Sequence, residues 1–279
     1  MHVPLLLKHL PDDASTARLA DGAGTEPHLG NNAWYRHHSL RHAAELDDVA
    51  RASGGAAAAR DIDFIVATLG LHPDDRLLEI GCGWGRHTRV LRERGFARLT
   101  SVDIAPAMLA EARAHTAGLR ADLRECDFRA LADDGPFDAL LSLYDRSCVG
   151  FPTEAEDRAS LATLRGMPRP GGQLFFGIGD WPVALPTPRR DWREFAATVE
   201  LLETLPDAAA MTCTDRTTVL DGRERRVYTL TRRHYGLPEL RRLLGEAGFI
   251  VTGAWHAFDA ARPYGPEDHA LFVLARRES

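Results

Sequence analysis

A doubly wound α/β sheet is the fold class this sequence predicts, and three observations carry it. Apolar runs of strand length alternate with stretches of helical spacing through the middle of the chain. One run (Leu77, Leu78, Ile80) breaks into Gly81-x-Gly83-x-Gly85 and resumes with helical spacing at Val90 and Leu91. The next run, Leu99, Ser101 and Val102, ends in Asp103. A strand, a tight glycine turn and a helix form the first unit of a nucleotide-binding sheet, with a carboxylate at the tip of the second strand.

The elements follow in order. Residues 1–32 hold Pro4, Pro11 and Pro27 with several glycines and no sustained periodicity. Trp34-Tyr35-Arg36-His37-His38 opens a helical pattern that runs to about Arg51, and Ser53-Gly54-Gly55 reads as a break. Ile62, Ile65, Val66 and Leu69 give a helix over 56–69, stopped by Gly70 and Pro73. Strands are expected at 76–80, 98–103 and 122–126, with a helix from Ala107 to about Ala117. Phe137–Leu143 is a continuous apolar run, the pattern of a strand buried on both faces. A helix at Glu154–Arg165 and a Pro170-Gly171-Gly172 turn lead into a fifth strand at Gln173–Ile178. This alternation predicts parallel strands joined by right-handed crossovers.

Residues 181–232 depart from that rhythm. Pro182, Pro186 and Pro188 make a loop, and Trp192–Leu205 reads as a helix. Two runs rich in Thr and Val, Thr212–Leu220 and Arg223–Thr231, flank Asp221-Gly222, a hairpin signal. The core pattern returns with a helix at Pro238–Ala247 closed by Gly248. A strand at Phe249–Trp255 and a last strand at Ala270–Ala275 complete it.

A chain of 279 residues buries a full α/β core and carries extra elements besides. No stretch reaches the ~18 apolar residues of a membrane helix, and Met1–Leu10 lacks a signal-peptide plan. A cytoplasmic protein with no membrane partner is therefore expected. Cys82, Cys126, Cys148 and Cys213 form no CxxC pair, which fits a reducing compartment. A net charge of −6 argues against nucleic acid as a partner. Lys8 is the only lysine among 34 basic residues, which reads as the coding bias of a GC-rich bacterial genome. His37 and His38 lack a carboxylate or cysteine at ligand spacing, so no metal is expected. Monomer and homodimer both remain open.

The glycine spacing narrows the ligand. A dinucleotide fingerprint places a third glycine five residues after the first, and Arg86 stands there instead. Gly81 and Gly83 let the backbone approach a ligand where a Cβ would collide. The helix beginning near Trp84 points its free N–H groups at that ligand. Glu79-Ile80-Gly81-Cys82-Gly83-Trp84-Gly85 together with Asp103 resembles motifs I and II of the class I S-adenosylmethionine-dependent methyltransferases. Tyr235-Gly236-Leu237-Pro238-Glu239-Leu240, followed by Gly248-Phe249, resembles the C-terminal part of the small-molecule members. The resemblance covers about 60–180 and 234–277. It implies a Rossmann-like seven-stranded doubly wound sheet with its last strand antiparallel. An N-terminal helical segment and a lid inserted after strand five complete the implied architecture. The implied division is a cap segment at 1–59, a cofactor-binding core at 60–180 and 233–279, and a substrate lid with a β-hairpin at 181–232.

The same resemblance implies S-adenosylmethionine as cofactor and a small molecule as substrate. The backbone of Gly81, Cys82 and Gly83 is expected to face the methionyl portion, with Glu79 ordering the loop or the amino end. Asp103 is expected at the ribose, Ile104 and Met108 against adenine, and Asp127 at the adenine amino group with Phe128 beside it. The carbonyl of Leu143 is a candidate for the methionyl amino group. Tyr35 and Arg36 are candidates to fold over the cofactor, Arg36 on its carboxylate and Tyr35 toward the substrate.

Tyr144 and Asp145, just past the fourth core strand, are the first candidates to shape or deprotonate the substrate, and His37 is a further candidate base. Trp84, Asp180, Trp181, Arg216 and Tyr228 are expected to line the substrate site; an arginine there suits a carboxylate or phosphate. The Asn/Asp-Pro-Pro-Tyr/Phe tetrapeptide of enzymes acting on amino groups of bases or glutamine is missing after strand four. The expected function is methyl transfer to a metabolite at an O, N or C atom. The alternative keeps the cofactor and changes the chemistry, to aminocarboxypropyl transfer or breakdown of the methionyl chain releasing methylthioadenosine. A non-catalytic cofactor-binding subunit and a protein or nucleic-acid methyltransferase are further readings of the same motifs.

Overall fold

The computed structural model describes residues 28–29, 31–46, 48–131, 135–143, 148–178, 187–195, 198–265, 268 and 270–279. The chain begins with β1 (His28–Leu29), α1 (Asn31–Glu45) and α2 (Asp48–Leu69). The central unit is β2 (Leu77–Ile80), α3 (Arg86–Glu93), β3 (Leu99–Asp103), α4 (Pro106–His115), β4 (Asp122–Glu125), β5 (Phe137–Ser142), α5 (Glu154–Gly166) and β6 (Pro168–Gly177). Four strands follow, β7 (Arg189–Phe195), β8 (Thr198–Asp207), β9 (Thr212–Asp221) and β10 (Glu224–Arg233). The chain closes with α6 (Leu237–Glu246), β11 (Phe249–Trp255) and β12 (Phe272–Arg277).

Seven strands form the main sheet, in the order β11-β12-β6-β5-β2-β3-β4. Neighbours from β6 to β4 are parallel, whereas β12 enters antiparallel between β11 and β6. This is the doubly wound sheet with an antiparallel last strand that the sequence predicts. Alternation along each strand feeds two cores. Leu78, Ile80, Leu140, Leu174 and Phe176 pack with Leu161 and Leu164 of α5 and Leu240, Leu243 and Leu244 of α6. On the other face Leu77, Leu99, Leu141 and Phe175 pack with Ile62 and Ile65 of α2 and Val90 and Leu91 of α3. Each such side chain contributes about 1.5–3 kcal/mol of burial.

Two expectations are corrected. The Ser53-Gly54-Gly55 break lies inside a continuous α2. A Cβ on Gly54 would sit 2.8 Å from Cζ2 of Trp84, so this glycine is the point where a helix passes an indole. The Trp192–Leu205 helix is replaced by β7 and β8. Leucine-rich β8 has good helix propensity, but β7 and β9 take its backbone groups on both sides, from Val199↔Leu220 to Asp207↔Thr212. Tertiary pairing overrides the local preference. The result is a five-stranded second sheet, β1-β10-β9-β8-β7, within which the expected hairpin is the β9–β10 pair.

One buried carboxylate ties the loop before α5 to the segment between β10 and α6. Asp157 of α5 accepts from the backbone N–H of Gly150 at 2.6 Å and of Phe151 at 3.0 Å, and from the Tyr235 hydroxyl at 2.6 Å. Burial pushes its carboxyl up from 3.8 to about 6, against the pull of those donors. Below about pH 6 the folded protein holds a proton that the unfolded chain gives up near 3.8. Stability from this group is therefore fully present below about 4, falls as pH rises to about 6, and is level above. In Tyr235→Phe the carboxyl loses one donor, at a cost of about 1–3 kcal/mol in urea unfolding at pH 8. At pH 5, where the carboxyl is protonated, the loss falls to about half, since a charged acceptor forms the stronger bond.

Candidate active site

The glycine loop is set by its neighbours as much as by its own residues. Gly81, Gly83 and Gly85 all take positive φ, 70°, 55° and 79°. The N–H groups of Gly81 and Cys82 both reach the carbonyl of Val102, at 2.9 and 3.0 Å. Asp103 then fixes the loop from the next strand tip. Its Oδ2 accepts from the Gly83 N–H and its Oδ1 from the Ala105 N–H, each at 2.8 Å. Burial pushes its carboxyl up despite these bonds. Glu79 lies beneath the loop, fully desolvated, and accepts from Thr88 Oγ1 at 2.5 Å and Ser101 Oγ at 2.9 Å. It orders the start of α3 and does not line the cavity.

A cavity of about 580 Å³ opens at the strand tips. Its floor is Ile80–Trp84, Val102–Ile104, Met108, Cys126–Arg129 and Leu143; α1 supplies one wall with Asn31, Trp34, Tyr35, His38 and Ser39. Leu230 and Arg232 of β10, with Gly150 and Phe151, close it from the side of the second sheet. Gly81, Cys82, Gly83, Asp103, Ile104, Met108, Asp127, Phe128, Leu143, Tyr35 and Trp84 thus all line one cavity. Arg129 holds the Asp127 carboxyl below its ordinary range; its Nε lies 2.9 Å away and its guanidinium stands 5.0 Å over the Phe151 ring. Trp84 packs on Ala105 and Met108 and meets the His115 ring edge-on at 4.7 Å.

Other expected residues lie elsewhere. Arg36 is exposed, away from the cavity lining. His37 also faces away. Its Nε2 is 2.9 Å from Oε1 of buried Glu200, and its ring stacks on Tyr228 at 4.3 Å. Burial alone would push the Glu200 carboxyl up, but His37 and Arg193 overcome it and hold it at about 2. The geometry therefore occupies His37 and Tyr228 in a contact between α1 and the second sheet. Arg216 is paired with Glu203 on β8. Three consecutive residues of a helix cannot share one face, and with Tyr35 turned to the cavity Arg36 and His37 turn away. Tyr144, Asp145, Asp180 and Trp181 lie outside the described residues.

Periodicity holds the signal for what was missed. Counting by helical spacing from Tyr35 gives Asn31, Trp34, His38 and Ser39, the cavity face of α1. Counting by two from Tyr228 gives Leu230 and Arg232. Arg232 is buried and ion-paired with Asp215, which in turn accepts from Thr204 Oγ1 at 3.0 Å. His87, in the first turn of α3, faces the cavity and bonds Asp61 of α2 at 3.1 Å; burial holds its pKa below the ordinary value.

Residues 77–172 match a family described as a methyltransferase domain. Over this stretch, from β2 into β6, the chain is similar to methyltransferase domains, and the sheet around it has the fold of S-adenosylmethionine-dependent methyltransferases. The malonyl-[acyl-carrier protein] O-methyltransferase of Serratia marcescens is 37% identical over 131 residues, 45% of this chain and 49% of that protein. The chain thus spans about half the length of that curated relative. The fold matches an S-adenosylmethionine-dependent methyltransferase from Clostridium acetobutylicum ATCC 824 with a TM-score of 0.66. Identity there is 16%, with 89% of this chain and 99% of that one covered. It also matches CalS10, an amino pentose methyltransferase from Micromonospora echinaspora, solved with S-adenosylmethionine bound. That match has a TM-score of 0.51 at 20% identity, covering 97% and 99% of the two chains.

The residues present fit the family's cofactor. A Cβ at Gly83 would meet nothing within 4 Å, so the loop leaves an open cradle at its centre. Asp103 accepts from the backbone at both oxygens, and a carboxylate's four acceptor positions leave room for a hydroxyl donor. Ile104, Met108 and Phe128 offer an apolar wall beside it. Among the described residues no three metal-ligating side chains cluster, and no helix is long and apolar enough to cross a membrane. In Asp103→Asn an amide N–H faces either Gly83 or Ala105 in place of an acceptor. S-adenosylhomocysteine binding, followed by titration calorimetry, is expected to weaken about 10–100-fold, the range for losing one or two hydrogen bonds to a charged group.

Proposed function

We propose that this chain transfers the methyl group of S-adenosylmethionine to a small-molecule metabolite. The observation that carries the reading is the cavity's roof: α1 and β10 stand over the glycine loop and leave about 580 Å³. That volume lies within the range of about 300–1,000 Å³ for small-molecule sites. The Serratia relative and CalS10 both carry small-molecule or carrier-bound acceptors in their names, which supports the class without fixing the compound. The second sheet is then the substrate lid, inserted between the fifth and sixth core strands.

The bound cofactor supplies a methyl group on a sulfonium, an electrophile that needs no further activation. The protein's part is to align an acceptor and exclude water. Asp103 takes the ribose hydroxyls, the Gly81–Gly83 backbone the methionyl portion, and Ile104, Met108 and Phe128 the adenine. Asp127, held ionised by Arg129, takes the adenine amino group. The acceptor stands among Trp34, Tyr35, Phe151, Leu230 and Arg232.

His38 lines this site from α1. Its Nδ1 lies 3.2 Å from Nη2 of Arg41, and a guanidinium only donates, so the neutral ring carries its proton on Nε2. Incubation with S-adenosylmethionine and pooled metabolites, read by mass spectrometry, should give S-adenosylhomocysteine and one metabolite heavier by a CH2 unit. Methylthioadenosine in its place would overturn methyl transfer.

A further inference from the structure

Helix α1 carries a wall of the cavity on one face and a buried ion cluster on another. Asn31, Trp34, Tyr35, His38 and Ser39 face the cavity. His37 and Arg41, one helical turn apart, face the second sheet and meet Glu200 of β8. Glu200 has no exposed surface. Its Oε1 takes His37 Nε2 at 2.9 Å; its Oε2 takes Arg193 at 2.7 and 2.6 Å and has Arg41 Nε at 3.7 Å. The His37 ring stacks on Tyr228 of β10, with the two rings nearly parallel at 7°. At the start of the helix, Asn31 pairs both ways with the Thr231 backbone, at 3.0 and 3.1 Å.

Among the described side chains of α1, Ala43 packs on the cluster of Trp84, Ala105 and Met108. Among its side chains with described burial, Arg41 alone is buried. The described contacts of α1 with the second sheet are polar, and Glu200 gathers two of its side chains, His37 and Arg41. Moving α1 away would leave a desolvated carboxylate with only Arg193, which is costly inside a protein. We propose that Glu200 is a positioning residue that holds α1 closed over the cavity, and that its grip sets how tightly the cofactor is retained. The inference rests on reading the cavity as the cofactor site.

The test compares wild type with Glu200→Gln, which keeps the shape and removes the charge. S-adenosylhomocysteine affinity is measured by calorimetry, and hydrogen exchange over 31–45 is followed with and without that ligand. In wild type the ligand is expected to slow exchange in α1. In Glu200→Gln the Kd should rise about tenfold or more and the added protection of α1 should vanish, with exchange in β2, β3 and β5 unchanged. A Kd within twofold of wild type, with α1 still protected by ligand, overturns the proposal. Should Glu200→Gln fail to fold, His37→Ala decides on the same readouts, because Arg193 still neutralises the carboxylate. There, at least a threefold rise in Kd is expected, and an unchanged Kd overturns it. If wild type itself does not bind S-adenosylhomocysteine, the reading of the cavity falls, and this inference with it.

Discussion

Asp103 is the contact on which the geometry of the site turns. Backbone N–H groups from Gly83 and from Ala105 converge on its carboxylate. The first belongs to the loop after β2 and the second to the entry of α4, so one side chain sets the distance between both edges of the cavity floor. Three left-handed glycines make the loop possible, but their freedom alone would leave it floppy. The carboxylate removes that freedom from outside. It also stays partly desolvated, which favours the approach of hydroxyl donors that can take its remaining lone pairs.

Floor and roof are held by different forces. The floor sits at the ends of strands whose two faces feed the main cores, and Trp84 ties it to Gly54, Ala105 and Met108. Apolar area and close packing hold it, so it moves little. The roof is held by charge and hydrogen bonds: Glu200 with His37, Arg41 and Arg193, Asn31 with Thr231, and Asp157 with Gly150, Phe151 and Tyr235. Contacts of that kind depend on geometry and protonation more steeply than apolar packing does.

Sequence alone carried the floor almost whole. Apolar runs, glycine spacing and Asp103 are local signals, and the residues that make them also touch the cavity. The roof was legible only in part, for physical reasons. Period and propensity favoured a helix at Trp192–Leu205, and the strands there exist because β9 pairs with β8 across residues no local window links. Gly54 reads as a breaker until Trp84, thirty residues on, is placed against it. His37 has the chemistry of a base, and only the second sheet reveals Glu200 as its partner. Arg232 and His38 were within reach, since strict spacing from Tyr228 and Tyr35 leads to them.

This division of forces bears on how such a site acquires a substrate. Floor residues serve cofactor and core at once: replacing Trp84 or Met108 would open a gap among buried neighbours and cost folding stability of about 2–5 kcal/mol. The cavity-facing residues of the roof carry a lighter burden. Trp34 and Tyr35 are only half-buried and project toward open volume, and α1 is anchored through its other face. Their replacement changes the shape offered to an acceptor while leaving the anchor in place. Arg232 is the exception, because Asp215 depends on it for neutralisation within the sheet. A change of acceptor that required a different charge at that corner would have to alter both residues together, since breaking one half of a buried pair strands the other.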